Sequence, residues 1–420
     1  LLANPPFGVD WKAEKKTIDR WPNFRGYGGK LPRINDGALL FLLFMISKFQ
    51  DYKPGDREKP GSRIAIVFNG SPLFTGGAGS GESEIRRWII ERDQLEAIVA
   101  LPEQMFYNTG IGTFIWVVTN RKAAHRKGKI QLIDARERHT PMRRSLGDKR
   151  RYLDQAAIDT ITLEHGALED SLTSRVFDNA DFGYRRITVL RPLRLRFEIT
   201  SEARERFLNT CPELFDALQT VEDVFGDEPQ LDWNDTWEEV QKLFKRLPHG
   251  IEGWAKGAKG TAQKKIFREC FTVTDPEAKP IIAKHHKALR LDQEELFPSQ
   301  TLPGDVDKER LTRLLGLHAD GQGGFLEYES DSALKDAENI PLKEDIVSYF
   351  LREVRPYVAD AWIDRETLDE QDGGIGKVGY EVNFNRVFLQ YQPPRPLYEI
   401  DAELAGVEQR ILELLREVTE

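Results

Sequence analysis

Cysteine is nearly absent from this chain, with Cys211 and Cys270 the only two thiols in 420 residues. Neither has a sequence-visible His partner for thiol catalysis, and both read as buried or inert. Two cysteines exclude a disulfide framework and a cysteine-based zinc site, and a reducing cytoplasm is the expected compartment. Long apolar runs are missing too. The longest, Ala38 to Ile46, has nine residues, against the ~20 that a membrane-crossing helix requires, so no membrane association is expected. The chain also lacks an initiator Met and a charged-then-apolar leader, opening instead on Leu1-Leu2-Ala3-Asn4-Pro5-Pro6-Phe7. Such a start is expected of a piece cut from a longer protein. What is present is the composition of a folded chain: 40% hydrophobic and 31% charged residues exclude a disordered or fibrous class.

The net charge of −9 argues weakly against nucleic acid, but it averages over stripes. From Arg121 to Arg151 there are twelve Lys/Arg and three Asp/Glu, a local charge of +9. Arg136, Arg143, Arg144, Lys149, Arg150 and Arg151 are the candidate DNA-binding residues within it. A second cluster follows at Arg185, Arg186, Arg191, Arg194 and Arg196. A solvated basic loop and a phosphate-tracking surface with salt-dependent binding are both open readings of the first stripe.

The first 135 residues alternate helix and strand patterns. Asp36 to Tyr52 reads as a buried helix, and Arg63 to Phe68 as a parallel strand covered on both faces. Glu82 to Asp93 has helical spacing, and Leu95–Leu101, Thr113–Thr119 and Lys129–Ala135 read as strands. The pattern is that of an α/β layer structure, and only part of one. Three segments are expected: the α/β part over 1–150, a basic linker with a mixed, mostly helical region over 151–340, and a helical region over 341–420 that ends in a heptad helix. Helices are expected at Glu202–Leu208 and Thr236–Leu247, with a flexible connection at Gly253–Gly260. At the C-terminal end, Leu397, Ile400, Leu404, Val407, Ile411, Leu414 and Val418 follow a 3-4 heptad spacing after Pro393, Pro394 and Pro396. A helix with this stripe needs a partner, either within its own domain or on another subunit.

Asn4-Pro5-Pro6-Phe7 carries the chemistry. Two prolines remove two N–H donors and stiffen the turn. The Asn4 side-chain oxygen and the Pro5 carbonyl can then accept both protons of a planar –NH2 group. Phe7 offers a face on which a heteroaromatic ring can stack, worth ~1–3 kcal/mol per base. Holding an exocyclic amine this way orients it toward an electrophilic methyl donor. A Pro-Pro turn after a buried strand, with Phe7 in the core, is the bland alternative. Leu1-Leu2-Ala3 reads as the end of a strand in an open α/β sheet, where ligands bind beyond the carboxyl ends.

At this point the chain resembles a family, the modification (M) subunits of Type I restriction–modification systems, which are N6-adenine DNA methyltransferases. The resemblance rests on Asn4-Pro5-Pro6-Phe7-Gly8, on Asp36 to Leu42, on Arg63 to Phe74 and on Leu101 to Ile111, with further matches at Asp181 to Arg186 and Tyr380 to Arg386. It implies an incomplete class I methyltransferase (Rossmann-like) sheet followed by a mainly helical C-terminal extension. In the family's strand order 3-2-1-4-5-7-6 this chain would hold the stub of strand four, then five, six and seven. Asn4 and Pro5 would accept the target amine's hydrogen bonds, with Pro6 stiffening the turn, and Phe7 would stack on an adenine extruded from the duplex. The methyl donor would be S-adenosylmethionine, with Asn4 at the edge of its site and the main site upstream of Leu1. This chain alone is therefore expected to bind the cofactor weakly or not at all, and to be inactive. The implied partners are double-stranded DNA, a specificity (S) subunit, a restriction (R) subunit and a second M subunit, the heptad helix docking on the S subunit. Two other readings stand beside this one: an amino-group methyltransferase for RNA or protein glutamine, and a non-catalytic assembly module.

Three features are weighed and set aside. Gly76 to Ser83 has phosphate-loop spacing, but Glu82 stands where Lys is needed, so a turn with Ser80 or Ser83 capping a helix is expected. His285-His286 lack further ligands, and no metal site is expected. Asn69-Gly70 reads as a tight turn, with the substrate cleft as the alternative.

Overall fold

Apolar β-branched runs bounded by turn residues build a six-stranded sheet. The computed structural model describes residues 1–20, 27–107, 109–287, 291–298, 300, 302–304, 306–389 and 393–419, the side chains of 417–419 excepted. The strands are β1 (Leu2–Ala3), β2 (Arg63–Phe68), β3 (Leu95–Leu101), β4 (Thr113–Thr119), β5 (Lys129–Asp134), the hairpin pair β6 (Thr140–Leu146) and β7 (Lys149–Tyr152), and β8 (Ser174–Asp178). Their hydrogen-bonded order in the sheet is β1-β2-β4-β3-β5-β8, with β6 and β7 paired apart from it. Both β1 with β2 and β3 with β5 run parallel. Thr119, at the end of β4, donates its hydroxyl to Ser62 O at 2.7 Å and its N–H to Gln94 O at 2.8 Å. The end of β4 therefore lies beside the starts of β2 and β3, so β4 is antiparallel and the sheet is mixed.

The chain divides into two compact units, each assembled from separated segments. One comprises Leu1–Glu96, Trp116–Ile130 and Phe177–Glu381; the other Ala97–Ile115, Gln131–Val176 and Val382–Glu420. These units cut across the sequential segments expected at 1–150, 151–340 and 341–420, because the division falls within β3, β4, β5 and β8 themselves.

In the first unit the helix Ala38–Ile46 buries Leu39, Leu42, Leu43 and Ile46, and it packs on β2, whose Ile64, Ile66 and Phe68 are fully buried. The helix expected over 36–52 is shorter, and it is not buried all round: Phe41 is 38% and Phe44 42% exposed. β2 likewise buries one face and half-buries the other. The remaining strands are β9 (Gly183–Leu190), β10 (Leu195–Phe197), β11 (Thr272–Thr274), β12 (Ile282–His286), β13 (Leu317–Ala319), β14 (Phe325–Tyr328), β15 (Asp336–Pro341), β16 (Trp362–Ile363) and β17 (Lys377–Tyr380). β9 is the hub of a second sheet, pairing antiparallel with β15, β16 and β17. The regions expected to be mostly helical thus hold many short strands, whose residues show no strong period because each depends on long-range pairing.

Helices do occupy 201–271. Ser201–Thr210, Phe215–Phe225, Trp233–Lys245 and Gly257–Phe271 close on a core of Phe197, Phe207, Trp233, Phe244, Phe267 and Phe271. The flexible connection expected at Gly253–Gly260 is instead the entry to a helix. Gly260 is buried, and a Cβ there would lie 1.8 Å from Ala255 O, so the glycine permits close backbone approach.

One helix ties the first unit together. Ser80 caps Gly81–Glu91 by accepting the N–H of Ser83, as its position before the helix implied. Within it Arg86 is 1% exposed, and its guanidinium hydrogen-bonds to carbonyls. Its Nε donates to Tyr380 O at 2.5 Å, Nη1 to Pro72 O at 3.1 Å and Thr75 O at 2.9 Å, and Nη2 to Gly76 O at 3.0 Å. Burial pulls the guanidinium down to about 10, against the opposing charges of Glu82 and Glu381. The next residue, Arg87, makes a buried ion pair with Asp369, Nη1 to Oδ1 at 3.0 Å, and Ser83 Oγ accepts the Tyr380 N–H at 3.0 Å. Two segments of the resemblance meet here, since Tyr380 pairs with Gly183 and Gly379 with Tyr184.

In the second unit Val99, Leu101, Ile133 and Ala135 form the core, covered by Met105, Phe106, Leu153 and Ile161. Phe384 packs edge-on to Phe114 at 5.3 Å.

Replacing Arg86 with Leu removes the donor from four carbonyls, those of Tyr380 and Pro72 in buried bonds and those of Thr75 and Gly76 in part-buried ones. Equilibrium urea unfolding is expected to show a loss of roughly 3–5 kcal/mol, whereas Arg92→Leu, just beyond the end of the same helix, should cost under about 1 kcal/mol.

Candidate functional site

The motif segment begins where β1 ends. Leu2 and Ala3 lie opposite Ala65 and Ile66 of β2, Leu1 N donates to Arg63 O at 2.8 Å, and Ala65 N donates to Leu1 O at 3.0 Å. Asn4-Pro5-Pro6-Phe7 therefore leaves the carboxyl end of β1 beside the carboxyl end of β2. Asn4 and Pro6 are exposed, Pro5 and Phe7 half-buried. Among the described residues no side chain or backbone group holds the Asn4 amide, so its oxygen is open to an external donor. The turn closes at Gly8, whose φ of +64° is one that L side chains rarely adopt.

The segment after the turn is anchored. Gly37 N donates to Val9 O at 2.9 Å and Trp11 N to Ile34 O at 3.0 Å, while the buried Trp11 ring donates Nε1 to Arg33 O at 2.9 Å. Asp36 then joins this strap to the turn after β2. Its Oδ1 accepts Ala38 N at 3.1 Å and its Oδ2 accepts the Ser71 hydroxyl at 2.7 Å. Arg33 Nη2 donates to the same hydroxyl at 3.2 Å. Asn69 Oδ1 accepts Ser71 N at 3.2 Å, an Asx turn, in keeping with the tight-turn reading of Asn69-Gly70. Sequence reasoning quoted Asp36 and Ser71 only as parts of matched segments. Their polar types beside apolar elements were the available signal for this anchoring role.

The basic stripe separates into two populations. Lys122 and Arg126 are buried: Lys122 Nζ lies 2.5 Å from Asp93 Oδ1 and Arg126 Nε lies 3.8 Å from Glu96 Oε1. In the second unit Arg136 holds Asp134 with Nε at 2.8 Å and Nη2 at 2.6 Å, and its Nη1 reaches Asn385 Oδ1 at 3.2 Å. That pairing keeps the Asp134 carboxyl below its ordinary value although burial alone would raise it. Arg136 is thus committed within the chain and is not part of an open cationic surface, which departs from its selection as a DNA-binding residue. Four of the second cluster are also committed, Arg185 to Asp372, Arg191 and Arg194 to Asp360, and Arg196 to Glu198 and Asp275, while the exposed Arg186 donates Nη1 to Asn339 Oδ1 at 3.3 Å.

The hairpin β6–β7 keeps its charge outward. Arg143, Arg144 and Arg150 are exposed and Lys149 and Arg151 half-buried. The Arg150 and Arg151 N–H groups donate to Gln104 O at 2.9 and 3.2 Å, so the hairpin is fastened to the segment that follows β3. Lys149 Nζ stands 5.3 Å from the Tyr107 ring centroid, and Tyr107 is 61% and Tyr152 41% exposed. Cations interleaved with exposed aromatic rings suit a nucleic-acid backbone and its bases. Asn108, within the matched segment 101–111, lies outside the described residues.

The heptad stripe occupies one helix, Leu397–Thr419. Leu397, Leu404, Val407, Ile411 and Leu414 are 52–77% exposed and Ile400 is 37% exposed, so among the described residues no part of the chain covers the stripe; the Val418 side chain lies outside those described. His286 is bonded to Glu327, Nε2 to Oε2 at 2.7 Å. Among the described residues there is no group of three or more potential metal ligands, and no helix long and apolar enough to cross a membrane.

Residues 1–173 match the family model for N-6 DNA methylase. Within this region, the relatives are methylase subunits of Type I restriction enzymes, which bears out the resemblance read from the motifs. The MjaVII methylase subunit of Methanocaldococcus jannaschii is 31% identical over 152 residues, covering 34% of this chain and 24% of its own length. The HindI methylase subunit of Haemophilus influenzae is 34% identical over 139 residues, covering 33% of this chain and 27% of its own. The matched region thus spans about a quarter of each relative. Among solved structures, the Type I methyltransferase subunit of Streptococcus thermophilus aligns over 42% of this chain and 34% of its own, at 23% identity and a TM-score of 0.34.

Proposed function

We propose that this chain is the C-terminal portion of a Type I modification subunit that transfers a methyl group from S-adenosylmethionine to the N6 amine of an adenine flipped out of duplex DNA. The observation that carries the reading is the placement of Asn4-Pro5-Pro6-Phe7 at the carboxyl end of β1, with the Asn4 amide unpartnered among the described residues and the turn anchored behind by Asp36. The strand order supports it. The sequence β1-β2-β4-β3, with β4 antiparallel, coincides with the 4-5-7-6 stretch expected of a class I methyltransferase sheet.

The division of labour follows from the residues. S-adenosylmethionine supplies an electrophilic methyl group when bound; of this chain's residues, Asn4 stands at the edge of that site. The Asn4 side-chain oxygen and the Pro5 carbonyl accept the two amine protons, which directs the nitrogen lone pair outward and fixes the nucleophile. Pro5 and Pro6 hold the turn without competing N–H donors, and Phe7 stacks on the base that has left the helix. Extrusion costs a few kcal/mol, which stacking and two hydrogen bonds offset in part.

Arg143, Arg144, Lys149, Arg150 and Arg151 track the duplex backbone. Leu397 to Leu414 on the terminal helix dock against a specificity subunit, in an assembly with a second M subunit and a restriction subunit. A helix whose apolar stripe is this exposed is more stable against a partner helix than in water.

Two outcomes test the reading. In the full-length protein, Asn4→Ala and Phe7→Ala should each lower single-turnover methyl transfer by about 10²-fold or more while subunit assembly is kept; unchanged rates for both would return the motif to a structural turn. Arg143→Ala with Arg144→Ala and Arg150→Ala should flatten the slope of log K against log salt for duplex binding by ~0.9 for each phosphate that is no longer neutralised. A slope equal to that of the parent protein would remove the hairpin from the interface.

A further inference from the structure

Between residues 191 and 362 lies a set of cations that neither the methylase motifs nor the hairpin uses. Arg194, Arg313 and Arg355 line a cavity of about 210 Å³ together with His318, Tyr328 and Asp360. Arg313 and Arg355 also line a second cavity of about 360 Å³. Three guanidiniums in the first cavity face one carboxylate, and that carboxylate is already shared, since Asp360 Oδ1 takes Arg191 Nε at 2.9 Å and Oδ2 lies 3.7 Å from Arg194 Nη2. Arg313 has Glu309 at 3.0 Å, but both side chains are more than half exposed, so solvent screens the pair. Arg355 makes no ion pair among the described residues, and its Nη1 donates to Ala361 O at 3.2 Å.

His318 completes the wall. Its ring lies against Tyr328 at a centroid distance of 4.4 Å, and among the described residues its buried Nε2 has no hydrogen-bond partner. Burial, with Arg313 and Arg355 nearby, keeps the imidazole neutral, so it can offer an N–H without adding charge. Arg355 is itself disfavoured by burial and by the like charges of Arg313 and Arg310, which the carboxylate of Asp360 offsets only in part. An oxyanion in the cavity would offset this repulsion, take paired N–H donors from planar guanidiniums and satisfy the orphaned imidazole nitrogen. The volume admits a tetrahedral group with accompanying water.

We propose that the cavity bounded by Arg194, Arg313, Arg355 and His318 is a binding site for a phosphate oxyanion, separate from the methyl-transfer motif. The group comes either from a small free phosphate compound or from a nucleic-acid backbone. Titration calorimetry of the full-length protein with inorganic pyrophosphate at low ionic strength tests the site. Saturable binding is expected, weakened at least tenfold by Arg355→Met and by Arg313→Met, and unchanged by Arg352→Met, which alters an exposed cation elsewhere on the same segment. Arg313 is exposed, so its variant separates loss of binding from loss of folding, and thermal melting of each variant checks the point. A duplex oligonucleotide that displaces pyrophosphate, and whose own binding is weakened by Arg355→Met, identifies the backbone as the source. Simultaneous binding of both identifies a free anion. Absence of saturable binding, or binding by both variants equal to the parent's, overturns the proposal.

Discussion

The guanidinium of Arg86 is the point on which the first unit turns. It donates to four carbonyls from three places in the chain: the short turn at Pro72 and Thr75, the glycine loop at Gly76, and the end of β17 at Tyr380, 294 residues away. A buried cation is costly, and the cost is offset by hydrogen bonds to backbone acceptors and by the nearby carboxylates of Glu82 and Glu381. Arg87–Asp369 and Ser83–Tyr380 add to the same seam. The helix Gly81–Glu91 thereby links a turn that follows β2 to the sheet around β9. The candidate site inherits this order, because Ser71, at the start of that turn, holds Asp36, and Asp36 lies in the stretch that receives Val9 and Trp11 behind the motif.

Arginine serves two purposes in this chain, and net charge distinguishes neither. A net −9 conceals a stripe of +9, but the stripe itself conceals a division. Lys122, Arg126 and Arg136 are internal struts fixed by Asp93, Glu96 and Asp134. Arg143, Arg144 and Arg150 remain on an exposed hairpin fastened at Gln104. The struts are withdrawn from any phosphate backbone, whereas the hairpin group, like Arg121, Lys127 and Lys129, stays exposed; the proposed interface rests on the hairpin beside Tyr107 and Tyr152.

Legibility from sequence followed the range of the interactions. β2, β3 and β4 were readable to the residue, because each is an apolar, β-branched run whose burial suffices to define it. The cap at Ser80 was readable because capping is local. The short strands β15, β16 and β17 were not, since each exists only by pairing with β9 far away in the chain. Gly260 misled for a related reason: glycines suggest flexibility, but here one admits a carbonyl at 1.8 Å from where its Cβ would be. The motif was legible as chemistry, whereas its support by Asp36 and Ser71 depended on two elements meeting in space.

On the proposed reading, an adenine bound at Asn4 and Phe7 has left the stack of its duplex, and its surroundings change accordingly. Placing 2-aminopurine at the target position and recording its emission on addition of the full-length subunit with its specificity partner tests this directly. A several-fold rise over the free duplex is the predicted result, because the fluorescent base loses the neighbours that quench it. Emission that stays at the level of the free duplex under conditions of saturated binding would contradict base extrusion at this motif.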